Sequence, residues 1–209
     1  MDIAIIGAGN VGAALARAFA RAGHAVLLGV RDRAAEALRP LVAETGASAK
    51  SPADAARSAD VVILALPWAA AKDAVAALGD LAGKIVIDCM NPLGMVDGAL
   101  ALTVGHTDSG GEMVARWLPG ARVVKTLNQV GAEMMADNAR LAHRPVVFMA
   151  GNDADAKATV AGLLADIGFD PLDAGDLSKS RLLEPFAMVW INQALLRGKG
   201  RRWAFAAVS

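Results

Sequence analysis

A doubly wound α/β fold with a mostly parallel sheet and a C-terminal helical segment is predicted by three observations. Short apolar runs alternate with Ala-rich helical stretches along most of the 209 residues. The runs are apolar throughout rather than alternating, as strands buried on both faces are. A glycine-rich turn joins the first run to the first helical stretch.

The strands are read at Ile3–Ile6, Ala25–Gly29, Val61–Leu66, Ile85–Cys89, Val123–Leu127 and Val146–Ala150. Short ones are expected at Ala47–Lys50 and Phe169–Leu172. Helices are read at Val11–Ala22, Arg33–Glu44, Pro52–Ser58, Ala69–Leu78, Gly111–Leu118 and Asp153–Ile167. The alternation implies parallel strands joined by right-handed crossovers. Pro92–Ser109 reads as one long irregular loop, a length that often carries function. Ser180–Arg197 reads as a single long helix packed back on the sheet. Residues 1–174 are therefore expected to form the nucleotide-binding unit, and 175–209 a segment that closes its cleft.

Composition narrows the function. Lys+Arg and Asp+Glu both number 21, so a general basic field for nucleic acid is excluded. Hydrophobic residues are 55% of the chain, and roughly a fifth of all residues are Ala, the strongest helix former. The longest apolar run, Val61–Ala71, is broken by Pro67, and a spanning helix needs about 20 residues, so no membrane is expected. Met1 leads straight into a strand, and Cys89 is the single cysteine. These features predict a cytoplasmic protein without disulfides. His24, His106 and His143 are scattered, so no metal site is expected.

Gly7-Ala8-Gly9-Asn10-Val11-Gly12 follows the first strand and opens the first helix. That context is what dinucleotide binding needs. Gly7 permits the tight turn, Gly9 leaves room for a pyrophosphate, and Gly12 lets helix and strand pack closely. The amides of the first helical turn then face the phosphates. The second strand ends in Gly29-Val30-Arg31-Asp32-Arg33, without the carboxylate that holds an NAD ribose. A guanidinium at Arg31 suits a 2′-phosphate, with Arg33 adding charge, so the cofactor is read as NADP. Asp32 either opposes that phosphate or caps the next helix.

These residues resemble the NADP-dependent reductases of coenzyme F420 and their bacterial relatives, with the reductase domain of the STEAP metalloreductases as a cousin. The likeness rests on Ala8–Gly12, on Gly29-Val30-Arg31 and on Leu66-Pro67-Trp68. Its most specific part is Pro171-Leu172-Asp173-Ala174-Gly175-Asp176-Leu177-Ser178-Lys179-Ser180-Arg181-Leu182-Leu183-Glu184. Val30 replaces the family's serine and removes one hydroxyl from the 2′-phosphate site. In the archaeal members a His follows the strand after the long loop and lies near the deazaflavin. Asn128 stands at that position here. The resemblance thus implies hydride transfer between NADP(H) and a flavin-type ring: F420, FMN or FAD.

Such chemistry asks little of acid–base residues, and no residue is assigned a catalytic role. Leu66, Pro67 and Trp68 are expected at the nicotinamide, unless Trp68 only packs under a helix. Asn91 is expected to direct its amide toward the nicotinamide, unless Asn91-Pro92 is only a turn. Asn128 and the backbone of Val130 to Ala132 are expected to face the second ring, unless Asn128 only caps a helix. Arg181 and Glu184 are spaced to pair on the last helix. The tail Trp203–Val208 is expected to bury against the sheet or in a homodimer. Two other functions fit the same residues: reduction of a small carbonyl or imine, and NADP sensing without catalysis.

Overall fold

The computed structural model describes residues 1–208. One sheet of eight strands runs through it: β1 (Asp2–Ile6), β2 (Ala25–Gly29), β3 (Ser48–Lys50), β4 (Val61–Leu64), β5 (Ile85–Asp88), β8 (Arg122–Lys125), β9 (Val146–Gly151) and β10 (Asp170–Gly175). Their spatial order is β10-β9-β8-β5-β4-β1-β2-β3. The chain reverses its direction of growth between β1 and β4, and a crevice opens there at the carboxyl ends of the strands.

Helices cover both faces: α1 (Asn10–Arg21), α2 (Arg39–Thr45), α3 (Pro52–Ser58), α4 (Trp68–Ala76), α5 (Gly110–Trp117), α6 (Ala132–Ala136), α7 (Ala154–Asp166) and α8 (Ser180–Ile191). The strand pleat sorts the apolar runs between two cores. Ile3 and Ile5 pack with Leu15 and Phe19 of α1 and Leu163 of α7. Ala4 and Ile6 point the other way, toward Ala55 and Ala56 of α3 and Val75 of α4.

Three expectations are corrected. The stretch Pro92–Ser109 contains a hairpin of β6 (Leu93–Val96) and β7 (Ala99–Leu102), turned at Asp97 and Gly98, both with positive φ. The sheet is mostly parallel, as expected, with β9 antiparallel to β8 over Val124↔Gly151 and Lys125↔Ala150. Beyond that short ladder the Gln129 side chain bonds both the N–H and C=O of Phe148, doing the work of a further strand residue. The helix read over Arg33–Glu44 starts late. Asp32 forms a local turn with the Ala34 N–H, and a short 3₁₀ turn precedes α2 and its Pro40. Finally, Ser180–Arg197 is not one uniform helix. It is α8 followed by a π-turn over Asn192–Leu196.

The tail folds back. Trp203 stacks on Trp190, Phe205 meets Phe186, and the Val146 N–H donates to the Phe205 carbonyl. It therefore packs on α8 and beside β9.

Candidate active site

The crevice begins at the loop between β1 and α1. Gly7 has φ +101°, and a Cβ there would lie 2.5 Å from the Ala65 carbonyl oxygen. A Cβ on Gly12 would lie 1.9 Å from the Gly7 carbonyl oxygen. Neither position admits a side chain. Gly9 differs, since a Cβ there would meet nothing within 4 Å. Gly9 and Asn10 are exposed, Ala8 and Val11 half-buried.

Helix α1 begins at Gly9 with no side-chain cap and no acidic residue in its first turn. Ser51, Ser109 and Asp153 cap α3, α5 and α7, while α4 and α8 share the uncapped state of α1. An uncapped first turn leaves backbone N–H groups and the positive dipole end available to an anion. The residues present therefore fit a pyrophosphate.

At the end of β2, Val30 is half-buried and its N–H is bonded to the Lys50 carbonyl. Arg31 and Arg33 are exposed, and among the described residues neither guanidinium has an ion-pair partner. Asp32 makes a local turn and does not cap α2: its Oδ1 accepts from Ala34 N–H at 2.9 Å. The donor set fits a ribose 2′-phosphate.

Past β4, Leu66 lies against the Gly7 turn and Pro67 is exposed ahead of α4. Trp68 stacks on Trp117 of α5 at 5.4 Å, which makes it a spacer between the two helices.

Past β5 and β8, Asn91 and Asn128 form a reciprocal pair. The Asn91 Nδ2 donates to the Asn128 carbonyl at 2.8 Å, and the Asn128 Nδ2 donates to Asn91 Oδ1 at 2.9 Å. Asn128 also donates to the Leu183 carbonyl and accepts from Gln129 Nε2. Asn128 is thus buried with every side-chain hydrogen engaged, and α6 is capped by Gly131 instead. Asn91 is half-buried and keeps one Nδ2 hydrogen with no protein partner among the described residues. Val130 and Ala132 belong to the core, and Gly131 lies under Trp190, where a Cβ would meet the ring at 2.7 Å.

Beneath the Asn pair lies a cluster that the sequence reading missed. Lys125 is fully buried, 3.0 Å from Asp88 and 2.9 Å from Glu184. Burial disfavours its charge, but the two carboxylates outweigh this and hold its pKa above the usual lysine value. A signal existed: a lysine follows Val123-Val124 and an aspartate follows Ile85-Val86-Ile87 at the ends of neighbouring strands, and parallel pairing sets them side by side.

The expected Arg181–Glu184 pair is absent. Glu184 accepts from the N–H groups of Gly110 and Gly111, each at 3.0 Å. Arg181 instead holds Glu112 through two hydrogen bonds. A cavity of about 810 Å³ lies between residues 102–106 and the start of α8, with exposed His106 and half-buried Arg181 in its wall.

A model of the family "NADP oxidoreductase coenzyme F420-dependent" matches residues 2–92. The F420-dependent NADP reductase of Methanothermobacter thermautotrophicus is 32% identical over 212 residues, covering 92% of this chain and 88% of that one. This chain belongs to the F420-dependent NADP reductase family. Members of the family are NADP-dependent oxidoreductases. A crystal structure from Arthrobacter sp. FB24, provisionally described as an F420-dependent NADP-reductase, is 38% identical with a TM-score of 0.91 and full coverage of both chains. Rat metalloreductase STEAP3 is 29% identical over 184 residues. The match takes in 87% of this chain, but only 35% of the length of STEAP3. The F420 reductase likeness runs along the whole fold, including α8 and the tail. No helix of the described residues is long and apolar enough to cross a membrane.

Proposed function

We propose that this chain transfers hydride between NADP(H) and coenzyme F420, with FMN and FAD as the competing flavin-type acceptors. The observation that carries this reading is an uncapped, glycine-built turn combined with unpartnered arginines at the end of β2, in a chain of this family.

Bound NADPH supplies the hydride. The protein's share is orientation and exclusion of water. Amides of Gly9 to Gly12 hold the pyrophosphate, with Ala8, Asn10 and Val11 shaping the turn. Arg31 and Arg33 hold the 2′-phosphate beside Val30. Leu66 and Pro67 line the nicotinamide, with Trp68 bracing that wall. Asn91 donates its remaining N–H to the nicotinamide carboxamide. Asn128, Val130 and Ala132 form the floor under the second ring, and residues 175–208 close the cleft. No acid–base residue is required, because hydride moves between two rings.

The single buried cysteine supports a cytoplasmic setting. Exposed Met95, Leu100, Leu182, Val189, Leu195 and Leu196 support a homodimer through the hairpin and α8.

The test is an acceptor panel. Purified protein is mixed with NADPH or NADH, and nicotinamide absorbance is followed as F420, FMN, FAD or riboflavin is added in turn. NADPH oxidation with F420, well above that with NADH, is expected. Binding of NADPH with no oxidation by any of the four would refute the reading.

A further inference from the structure

Asp88 ends β5, Lys125 ends β8, and parallel pairing sets them opposite each other. Both are fully buried, and Glu184 of α8 is 1% exposed. The Lys125 ammonium has three hydrogens and three acceptors: Asp88 Oδ2, Glu184 Oε1 and the Met90 carbonyl. Glu184 also receives the first two amides of α5. Gly111 lets α8 approach closely there, since a Cβ on it would lie 2.5 Å from Ser180 Oγ.

Buried ion clusters add little net stability over a well-packed apolar replacement. What this one supplies is direction. It holds the carbonyl of Met90, the residue before Asn91. It also holds Glu184, the residue after Leu183, whose carbonyl receives the Asn128 amide. Both members of the Asn91–Asn128 pair therefore hang from the same ammonium.

We propose that Lys125 and Glu184 are positioning residues for nicotinamide binding, fixing through the Asn91–Asn128 pair the direction of the one Asn91 N–H that the protein leaves free. This rests on the assignment of Asn91 to the carboxamide made above.

The experiment compares dissociation constants for NADPH and for 2′,5′-ADP, which carries the phosphorylated adenosine half without nicotinamide. Four proteins are used: wild type, Asn91→Ala, the triple variant Asp88→Asn/Lys125→Met/Glu184→Gln, and all four changes together. The triple variant leaves no unpaired buried charge. Asn91→Ala is expected to weaken NADPH about tenfold, the scale of one lost hydrogen bond, and to leave 2′,5′-ADP unchanged. The triple variant is expected to do the same. Adding Asn91→Ala to it is expected to cost nothing further, because both act through one contact. A merely structural role would weaken both ligands together, or make the losses multiply.

If Asn91→Ala leaves NADPH binding unchanged, the assignment of Asn91 fails, and this proposal with it. If Asn91→Ala weakens NADPH but the triple variant binds both ligands normally, only the positioning role is overturned. Should the triple variant lose 2′,5′-ADP binding, Glu184→Gln alone decides. It keeps the Asp88–Lys125 pair and is expected to weaken NADPH severalfold while 2′,5′-ADP binding survives. No change in NADPH binding there overturns the proposal.

Discussion

Gly9→Ala is expected to separate binding from folding. The methyl group would project into open space, with no atom within 4 Å, and Gly9 has φ −72° and ψ −165°, which alanine adopts freely. The fold should therefore change in stability by no more than about 0.5 kcal/mol. The methyl group instead occupies the volume through which a pyrophosphate reaches the first-turn amides. Losing one charge-assisted amide contact costs about 1.5–3 kcal/mol. At about 1.4 kcal/mol per factor of ten, the dissociation constant for NADPH should rise roughly 10- to 100-fold. Gly12→Ala is the contrasting case. Its Cβ would lie 1.9 Å from a backbone carbonyl oxygen that cannot swing away. An overlap of that size costs about 3 kcal/mol or more, or roughly 10 °C in Tm for a chain of this length. Thermal melting and NADPH titration of the two variants form the assay. A Gly9→Ala protein that melts like wild type and binds NADPH equally well would refute the loop assignment.

Other outcomes follow from the same geometry. Arg31→Ala should weaken NADPH roughly 10- to 100-fold and NADH little, because only NADPH carries the 2′-phosphate; equal losses by titration would reverse the choice of NADP. Cys89 is buried, and burial and then Asp88 push its thiol well above the usual range. Thiol-directed disulfide reagents should leave it untouched in folded protein at mildly alkaline pH and modify it after unfolding. Hydrogen bonds from Arg181 and then Ser109 hold the Glu112 carboxyl below its usual range against the opposing effect of burial. A folded-state value below the unfolded one means that this stability is present above about pH 4.3 and is lost as pH falls through the folded value. The stability advantage of wild type over Glu112→Gln in denaturant titrations should therefore be present at neutral pH and vanish on acidification.

The sheet was legible in the sequence because its strands are uniformly apolar and bounded by helical stretches. The turn between β1 and α1 was legible because its glycines follow a strand and open a helix, and two of them, Gly7 and Gly12, admit no side chain. Two kinds of feature were not. The hairpin over Leu93–Leu102 is short, half-exposed and paired only with itself, so its Asp97-Gly98 turn between two four-residue strands was passed over among the surrounding Gly and Pro. The Lys125 cluster depends on contacts between residues 37 and 59 positions apart, Asp88 to Lys125 and Lys125 to Glu184. Local spacing instead pointed Glu184 at Arg181, three residues away. Tertiary packing overrode it: α8 docks Glu184 on the N-terminus of α5, where two amides and an ammonium hold it while Arg181 turns to Glu112. Asn128 marks the same limit. Its identity was visible, but only the fold shows that its amide is wholly engaged by Asn91, Gln129 and Leu183.

The central claim is direct hydride transfer from a nicotinamide held at this crevice to a flavin-type ring. NADPH carrying deuterium at the transferable C4 position, mixed with protein and F420, tests it most directly. Mass spectrometry of the reduced F420 should find one deuterium per molecule and none released to water. Consumption of the labelled NADPH with unlabelled reduced F420, or with F420 left oxidised, would contradict the account.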